Sequence, residues 1–403
     1  MRTGHTNRRV GLRRGLGYAV IFGGPGAVQS FAALWLQSRG LGVAEIGPVL
    51  GATLCVRLAV GPLIGVWAER FAHLSTPLAR LCLAVAIAAS LSMLCPGLLL
   101  PILLGWSLPS ICCGACTPLL DAANLQGAHR RQDLFCWPRL AGAAATLVGS
   151  LAFGVAATLF GIGAAMPVWS LASGLGAAWV LWRLGMAPAD PERAAAQTPL
   201  AATGTERAGL AMLALAASIL VQASHGFNAL LMLDWHAQGR SALQCALLWQ
   251  IGPAADIVLF WLLGRIATPP ATLLALAAAA ATLRWIGYAL SPSLWMICLL
   301  QTLHALSATG SYIAAVQLVD RMVPPHRRVL AQVTSWAMLG GVAKGLVTLA
   351  SGPIGAGSTR DGYWIMALLA AAGLLLSLVL TFLLRHSRDA SPDRLLNIIQ
   401  LDR

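Results

Sequence analysis

The sequence predicts an all-α membrane protein: twelve transmembrane helices arranged as two six-helix halves. Three observations carry that prediction. Of the 403 residues, 58% are hydrophobic and only 10% are charged, whereas a soluble domain carries about a quarter of its residues as Asp, Glu, Lys and Arg. The apolar residues run in stretches of the length needed to cross a bilayer, about 20 residues at 1.5 Å rise per residue. The basic residues sit in the short gaps between those stretches, and mostly in alternate gaps.

A hydropathy window of roughly 19 residues places spans near 15–37, 46–67, 78–95, 98–121, 139–160, 164–183, 209–234, 242–264, 270–290, 293–319, 329–352 and 362–384. Cys95-Pro96-Gly97 and Gly161-Ile162-Gly163 are thin separators, so the spans on either side form tight hairpins. The one long polar interruption, 187–208, mixes Pro188, Pro191 and Pro199 with charges and small polar residues and reads as a flexible linker. The expected organisation is a basic tail over 1–14, a six-helix bundle over 15–186, the linker over 187–208, a second six-helix bundle over 209–385 and a tail over 386–403. The arginines of the first fourteen residues imitate the basic region of a signal peptide. The run after them has no clear small-residue cleavage site and many spans follow, so it is expected to persist as the first helix.

The charge pattern orients the set. Arg70, Arg80, Arg130, Arg131, Arg183, Arg193, Arg207, Arg265, Arg321, Arg327, Arg328 and Arg385 fall on the same side as both tails, whereas Arg39, Arg240 and Arg360 fall on the other. Basic loops stay in the cytoplasm, which predicts cytoplasmic termini and a multi-pass protein of the cell inner membrane. A net charge of +13 otherwise suggests nucleic acid. These arginines do not gather on one face, so no nucleic-acid partner is expected. The nine cysteines lie mostly inside apolar runs. Cys112, Cys113 and Cys116 have no second Cys/His pair at zinc spacing and read as helix packing, so no metal or cofactor is expected. HExxH and GxSxG are missing as well, which argues against an enzyme.

Inside a bilayer the informative residues are the polar ones. A charge at the centre of a helix costs about 2.5–3.5 kcal/mol. Arg57, Asp256, Arg284 and Lys344 lie deep in predicted spans, so together they imply a cost on the order of 10 kcal/mol unless they pair or face a watery cavity. Asp256 lies nine residues from Arg265, roughly 13 Å in from the cytoplasmic edge. Gln301 and His304 share a helix face, and Gln222 and His225 repeat that spacing, with Asn228 extending the stripe. A carboxylate, a guanidinium and two imidazoles near mid-membrane are the group set for proton coupling, here Asp256, Arg284 and His304. A purely structural reading competes: Asp256 and Arg284 as a static ion pair between spans 8 and 9, and the histidines as interhelical hydrogen-bonders. Asp121 and Arg139 flank one cytoplasmic loop, where they either contact substrate or fix the hairpin. Most of the fourteen tryptophans suit the membrane interfaces. Trp249 and Trp285 sit beside polar residues and are the better cavity candidates.

Several of these stretches occur in the order of a known family. Trp35-Leu36-Gln37-Ser38-Arg39-Gly40-Leu41, Arg57, Pro118-Leu119-Leu120-Asp121-Ala122, Ser224-His225-Gly226-Phe227, Leu248-Trp249, Leu283-Arg284-Trp285 and Leu300-Gln301-Thr302-Leu303-His304-Ala305 resemble the 3-phenylpropionate transporter branch of the major facilitator superfamily. The resemblance implies the major facilitator fold, two parallel six-helix repeats around a midplane site. Asp121, Arg139, Asp256, Arg284 and His304 also fill places that resemble those of the oligosaccharide–proton symporters. The chain departs from both patterns: Ser307 stands where the symporters carry Glu, Asp256 where the phenylpropionate-like pattern usually has Glu, and after Arg139 the stretch 136–143 has Ala141 and Ala143 where that pattern usually has Trp and Ser.

The resulting expectation is a secondary transporter, acting as a monomer, that couples protons to a small organic anion, with an aromatic acid as one option. Arg57 and Arg139 are candidates for its carboxylate, because Arg binds carboxylate bidentately. Asp121, His225, Trp249, Trp285 and Gln301 complete the candidate substrate site. A proton-driven exporter and a transport-inactive sensor of the same fold are the alternatives.

Overall fold

The computed structural model describes residues 2–68, 70–95, 97–128, 133–185, 205–263, 265–266, 268–322 and 341–389. Among them the chain is helical and no strand occurs. The helices are α1 (Arg2–Gly23), α2 (Ala32–Ser38), α3 (Val43–Ala68), α4 (Ser75–Leu94), α5 (Leu99–Ala128), α6 (Asp133–Phe160), α7 (Ile162–Leu184), α8 (Thr205–Ser224), α9 (Asn228–Ala237), α10 (Ala242–Leu263), α11 (Pro270–Ala289), α12 (Leu294–His304), α13 (Ser311–Met322), α14 (Lys344–Gly357) and α15 (Thr359–Asp389). Nine candidate spans among the described residues are long and apolar enough to cross a membrane. The helices carry large apolar side chains in the open, such as Leu63, Leu94, Leu159, Trp182, Trp295 and Leu368. Such a surface suits lipid and not water. Of the linker at 187–208, residues 187–204 lie outside the described residues, as do 329–340 of the eleventh predicted span and 390–403 of the expected C-terminal tail.

Three predicted spans are not continuous helices. The first breaks between α1 and α2, at Gly23-Gly24-Pro25-Gly26, and resumes through a 3-10 turn at Gln29–Phe31. Proline offers no N–H and glycine is a poor helix former, so the break is written locally. The backbone groups it frees find side chains: the Gly24 carbonyl accepts from the Trp169 indole at 3.1 Å and the Ala27 carbonyl from Ser150 at 2.7 Å. The seventh span breaks in the same manner at His225–Phe227, between α8 and α9, where the Gly226 carbonyl accepts from Thr348 at 3.0 Å. Gly226 is required there, because a Cβ would come within 2.8 Å of Val347 and 2.9 Å of the Lys344 carbonyl. The tenth span passes through a π-helical turn at Ala305–Gly310, between α12 and α13. Broken helices survive at membrane depth only where neighbouring groups satisfy the exposed backbone.

Two compact units result, Met1–Ala195 with Ala229–Gln250, and Ala196–Asn228 with Ile251–Arg403. In the first, α1 packs on α6, α4 on α5 and α7, and α3 on α5. Its core includes Leu78, Cys82, Val85, Cys112, Cys116 and Leu181, so the cysteine cluster of α5 is helix packing. Residues Ala229–Gln250, most of α9 and the first part of α10, belong to this unit: the Leu243 amide donates to Thr158 at 3.1 Å, and Ala246 fits against Gly154. In the second unit, α11 and α8 pack on α15 and on α13, around Ala214, Ala217, Leu274, Ala314 and Leu380.

Candidate functional site

The second unit buries a polar cluster where the broken part of span 7 faces α11 and α12. Arg284 projects from α11 and is only 1% exposed. Its two terminal nitrogens donate to Asn228 Oδ1 and to Gln301 Oε1, each at 3.0 Å. Its guanidinium carbon lies 4.8 Å from the Trp285 ring and 5.4 Å from that of Tyr288. Trp285, Tyr288 and Tyr363 form one aromatic cluster with centroid separations of 5.5 to 6.0 Å. Phe227 adds an edge-on contact to Tyr363 at 5.5 Å.

His225 anchors the same region from the 3-10 turn. Its Nδ1 lies 2.9 Å from the Val221 carbonyl and its Nε2 3.1 Å from the Ser307 hydroxyl. A carbonyl only accepts, so Nδ1 carries a proton and Nε2 is the atom that faces Ser307. His304 stacks edge-on to His225 at 5.6 Å and rides over Gly252 of α10, where a Cβ would fall 2.9 Å from its ring. Arg284 and Lys344 are within electrostatic reach of both imidazoles.

The π-helical turn binds its neighbours through groups that a regular helix keeps for itself. Gln222 donates to the Ala308 carbonyl at 2.8 Å and to Ser311 at 2.9 Å. Thr309 hydrogen-bonds to the side chain of Asp256 from α10. The second carboxyl oxygen of Asp256, Oδ1, is buried with no hydrogen-bond partner among the described residues. An ion pair between Asp256 and Arg284, one of the two readings the sequence admits, does not form: Arg284 is held by neutral oxygens and Asp256 by a hydroxyl. The reason is helix rotation, which turns Arg284 toward α9 and α12 and Asp256 toward the π-helical turn.

The other predicted site residues divide. Asp256, Arg284, His304, His225, Trp285 and Gln301 all lie in the second unit, with His225, Trp285, Arg284 and Gln301 in direct contact through the cluster above. Trp249 is half-buried and belongs to the first unit, as do Arg57 and Arg139. Arg57 lies on α3 with its Cδ, Nε and one terminal nitrogen pressed into the space that a side chain at Gly114 of α5 would fill. Arg139 is exposed near the start of α6. Asp121 falls on α5, but its side chain lies outside the described residues, so its pairing with Arg139 does too. Sequence reasoning missed Tyr288, Thr309, Tyr363 and Gly114. Only Tyr288 left a signal, because it stands one turn from Arg284 on the same face. The first unit also holds a cleft of about 380 Å³ lined by Leu34, Gln37, Thr158, Ile162, His236 and Ser241.

A polytopic helical protein with interrupted spans and polar groups gathered at the interruptions is built as a membrane transporter. The chain belongs to the MFS_1 like family, which it matches over residues 15–363. It is 27% identical over 387 residues to a probable 3-phenylpropionic acid transporter of Escherichia coli (strain K12), covering 90% of this chain and 95% of that protein. Its fold is similar to that of the nucleoside transporter NupG, with a TM-score of 0.72 at 15% identity over 92% of this chain and 98% of that one. The POT family transporter PepTSo gives a TM-score of 0.69 at 12% identity, over 96% and 99% of the two chains. The protein is therefore a multi-pass transporter of the major facilitator type for a small molecule, and not an enzyme.

Proposed function

We propose that the protein is a proton-coupled symporter that carries a small organic anion, an aryl carboxylic acid such as 3-phenylpropionate, across the inner membrane by alternating access. The observation that carries this reading is Asp256: a half-buried carboxyl group on a spanning helix, hydrogen-bonded to Thr309 and in no ion pair among the described residues. A carboxyl in that setting can exchange a proton without breaking a salt bridge, which suits a coupling group. His304 and Arg284, in the polar cluster of the same unit, respond to the proton on Asp256 as the protein rocks. His225, Gln301 and Trp285 line the substrate site. In the first unit, Arg57, Arg139, Asp121 and Trp249 are the candidates for contact with the anion, the two arginines for its carboxylate. The similarity to a probable 3-phenylpropionic acid transporter supports the substrate class.

In this reading the protein acts as a monomer built from the bundles 15–186 and 209–385, with both termini and the 187–208 linker in the cytoplasm. Purified protein in proteoliposomes tests it. An inward proton gradient is expected to accumulate labelled 3-phenylpropionate, and collapse of the gradient with a protonophore is expected to stop accumulation. Uptake that only equilibrates, with or without the gradient, would remove proton coupling.

A further inference from the structure

Arg284 presents an unusual balance of charge. A guanidinium keeps its proton at any pH a cell meets, so it cannot escape burial by becoming neutral. Here it is 1% exposed, and among the described residues no carboxylate lies within its electrostatic reach. The groups that act on it favourably are the hydroxyls of Tyr288, which also hydrogen-bonds to it, and Tyr363, and a tyrosine hydroxyl ordinarily keeps its proton near neutral pH. Its Nε makes no hydrogen bond among the described residues. What holds its two terminal nitrogens is a pair of amide oxygens, Asn228 Oδ1 and Gln301 Oε1, both at 3.0 Å. Both amides are buried, at 5% and 2% exposure.

Two oxygens, one on each terminal nitrogen, reproduce what a carboxylate offers a guanidinium in a two-point contact. The amide dipoles supply the position but only part of the charge. A carboxylate at the same place would bring a full negative charge to a cation in surroundings of low dielectric, where that difference counts most. The rings of Trp285, Tyr288 and Tyr363 stand beside the fork, buried and packed on one another, so the surroundings of the fork are aromatic.

We propose that Asn228 and Gln301 are stand-ins for the substrate: their amide oxygens hold the Arg284 fork between transport events, and the carboxylate of the anion takes their place during one. The inference rests on the symport reading above and assigns the carboxylate of an aryl acid to Arg284 as its anchor. It also ties binding to movement. Asn228 opens α9 immediately after the 3-10 break, and Gln301 lies one turn before the π-helical turn that carries Ser307 and Thr309. Displacing the two amides releases the two interrupted spans from Arg284 at the points where their helices are least regular.

The test is ligand-induced thermal stabilisation of the full-length protein in detergent, since a ligand bound only by the folded state raises its melting temperature by mass action. The probes are 3-phenylpropionate and its neutral amide, 3-phenylpropionamide. Wild-type protein is expected to respond to the acid and not to the amide. Asn228→Asp and Gln301→Glu each place a built-in carboxylate on the fork. They are expected to melt no lower than wild type yet to bind the acid at least about tenfold more weakly. Wild-type affinity in both variants would overturn the proposal and leave symport standing, with the carboxylate held elsewhere. An equal response of wild type to acid and amide would overturn it as well, and that comparison decides even if neither variant folds. If wild type responds to no member of a carboxylate panel, the symport reading falls and takes the proposal with it.

Discussion

Asp256 of α10 meets Thr309 in the π-helical turn, while Arg284, which the sequence offers as its partner, is held by two amide oxygens. The two charges are therefore housed separately, each in its own hydrogen-bonding arrangement. That separation assigns different work to each. In the proposed mechanism Asp256 gives and takes the proton, and Arg284 keeps its charge and holds the anion. A π-helical turn in a spanning helix shifts the side chains that follow it and leaves carbonyls open to outside donors, which is why such turns recur at functional sites.

The proton role of Asp256 is checked by Asp256→Asn, which keeps the shape and the hydrogen bond to Thr309 but cannot titrate. Accumulation against a gradient is expected to vanish, whereas exchange of labelled for unlabelled substrate across equally loaded membranes survives. Both assays are run on the same proteoliposomes. Normal uphill uptake by the variant would move the proton step to His304 or Asp121.

The separation of the two charges makes a thermodynamic prediction. In a cycle of Asp256→Asn and Arg284→Gln, the stability losses are expected to add to within about 0.5 kcal/mol. A buried pair would instead show strong coupling, because removing one member strands the other. Melting temperatures of the single and double variants in detergent read the difference directly.

Arg57 and Gly114 test the first unit. A methyl at Gly114 would collide with the Arg57 side chain beyond Cγ. That end is flexible and can swing away, so Gly114→Ala is expected to cost less than about 1 kcal/mol of stability. The displaced guanidinium should nevertheless raise KM for the anion as Arg57→Ala does. An unchanged KM in Gly114→Ala, with KM raised in Arg57→Ala, would show that Arg57 works without its slot.

Gly362 gives the contrasting case. A Cβ there would collide with the Phe227 ring, which is fully buried and held edge-on to Tyr363. A packed ring cannot swing aside, so Gly362→Ala is expected to cost about 1–3 kcal/mol. Phe227→Leu in the same chain should restore part of the loss, and thermal unfolding of the three variants checks both signs.

Topology is checked by reporter fusions. Fusions within 187–208 and after residue 385 are expected to report the cytoplasm. An extracytoplasmic signal from the linker would overturn the orientation drawn from the arginines.

Class and architecture were legible in the sequence because they depend on local averages. Hydropathy summed over a span does not depend on which neighbour the span meets, so the spans near 78–95, 164–183 and 270–290 reappear as α4, α7 and α11. The same averaging hid the interruptions at Gly23–Gly26, His225–Phe227 and Ala305–Gly310, since a broken apolar helix is as hydrophobic as a straight one. The depth of Arg284, His225 and Gln301 was legible too, because polar residues inside apolar runs stand out one at a time. Their partnerships were not. A long side chain such as Arg284 reaches groups on several neighbouring helices, and only rotation and register decide which oxygen it meets. Thr309 and Gly114 left no trace, because a lone threonine or glycine in a spanning helix is ordinary until the neighbour facing it is known. The chain by itself determined which groups are placed in the membrane; the packing of α11 on α12, and the position of Asn228 at the break of span 7, decided that Arg284 faces two amides and not Asp256.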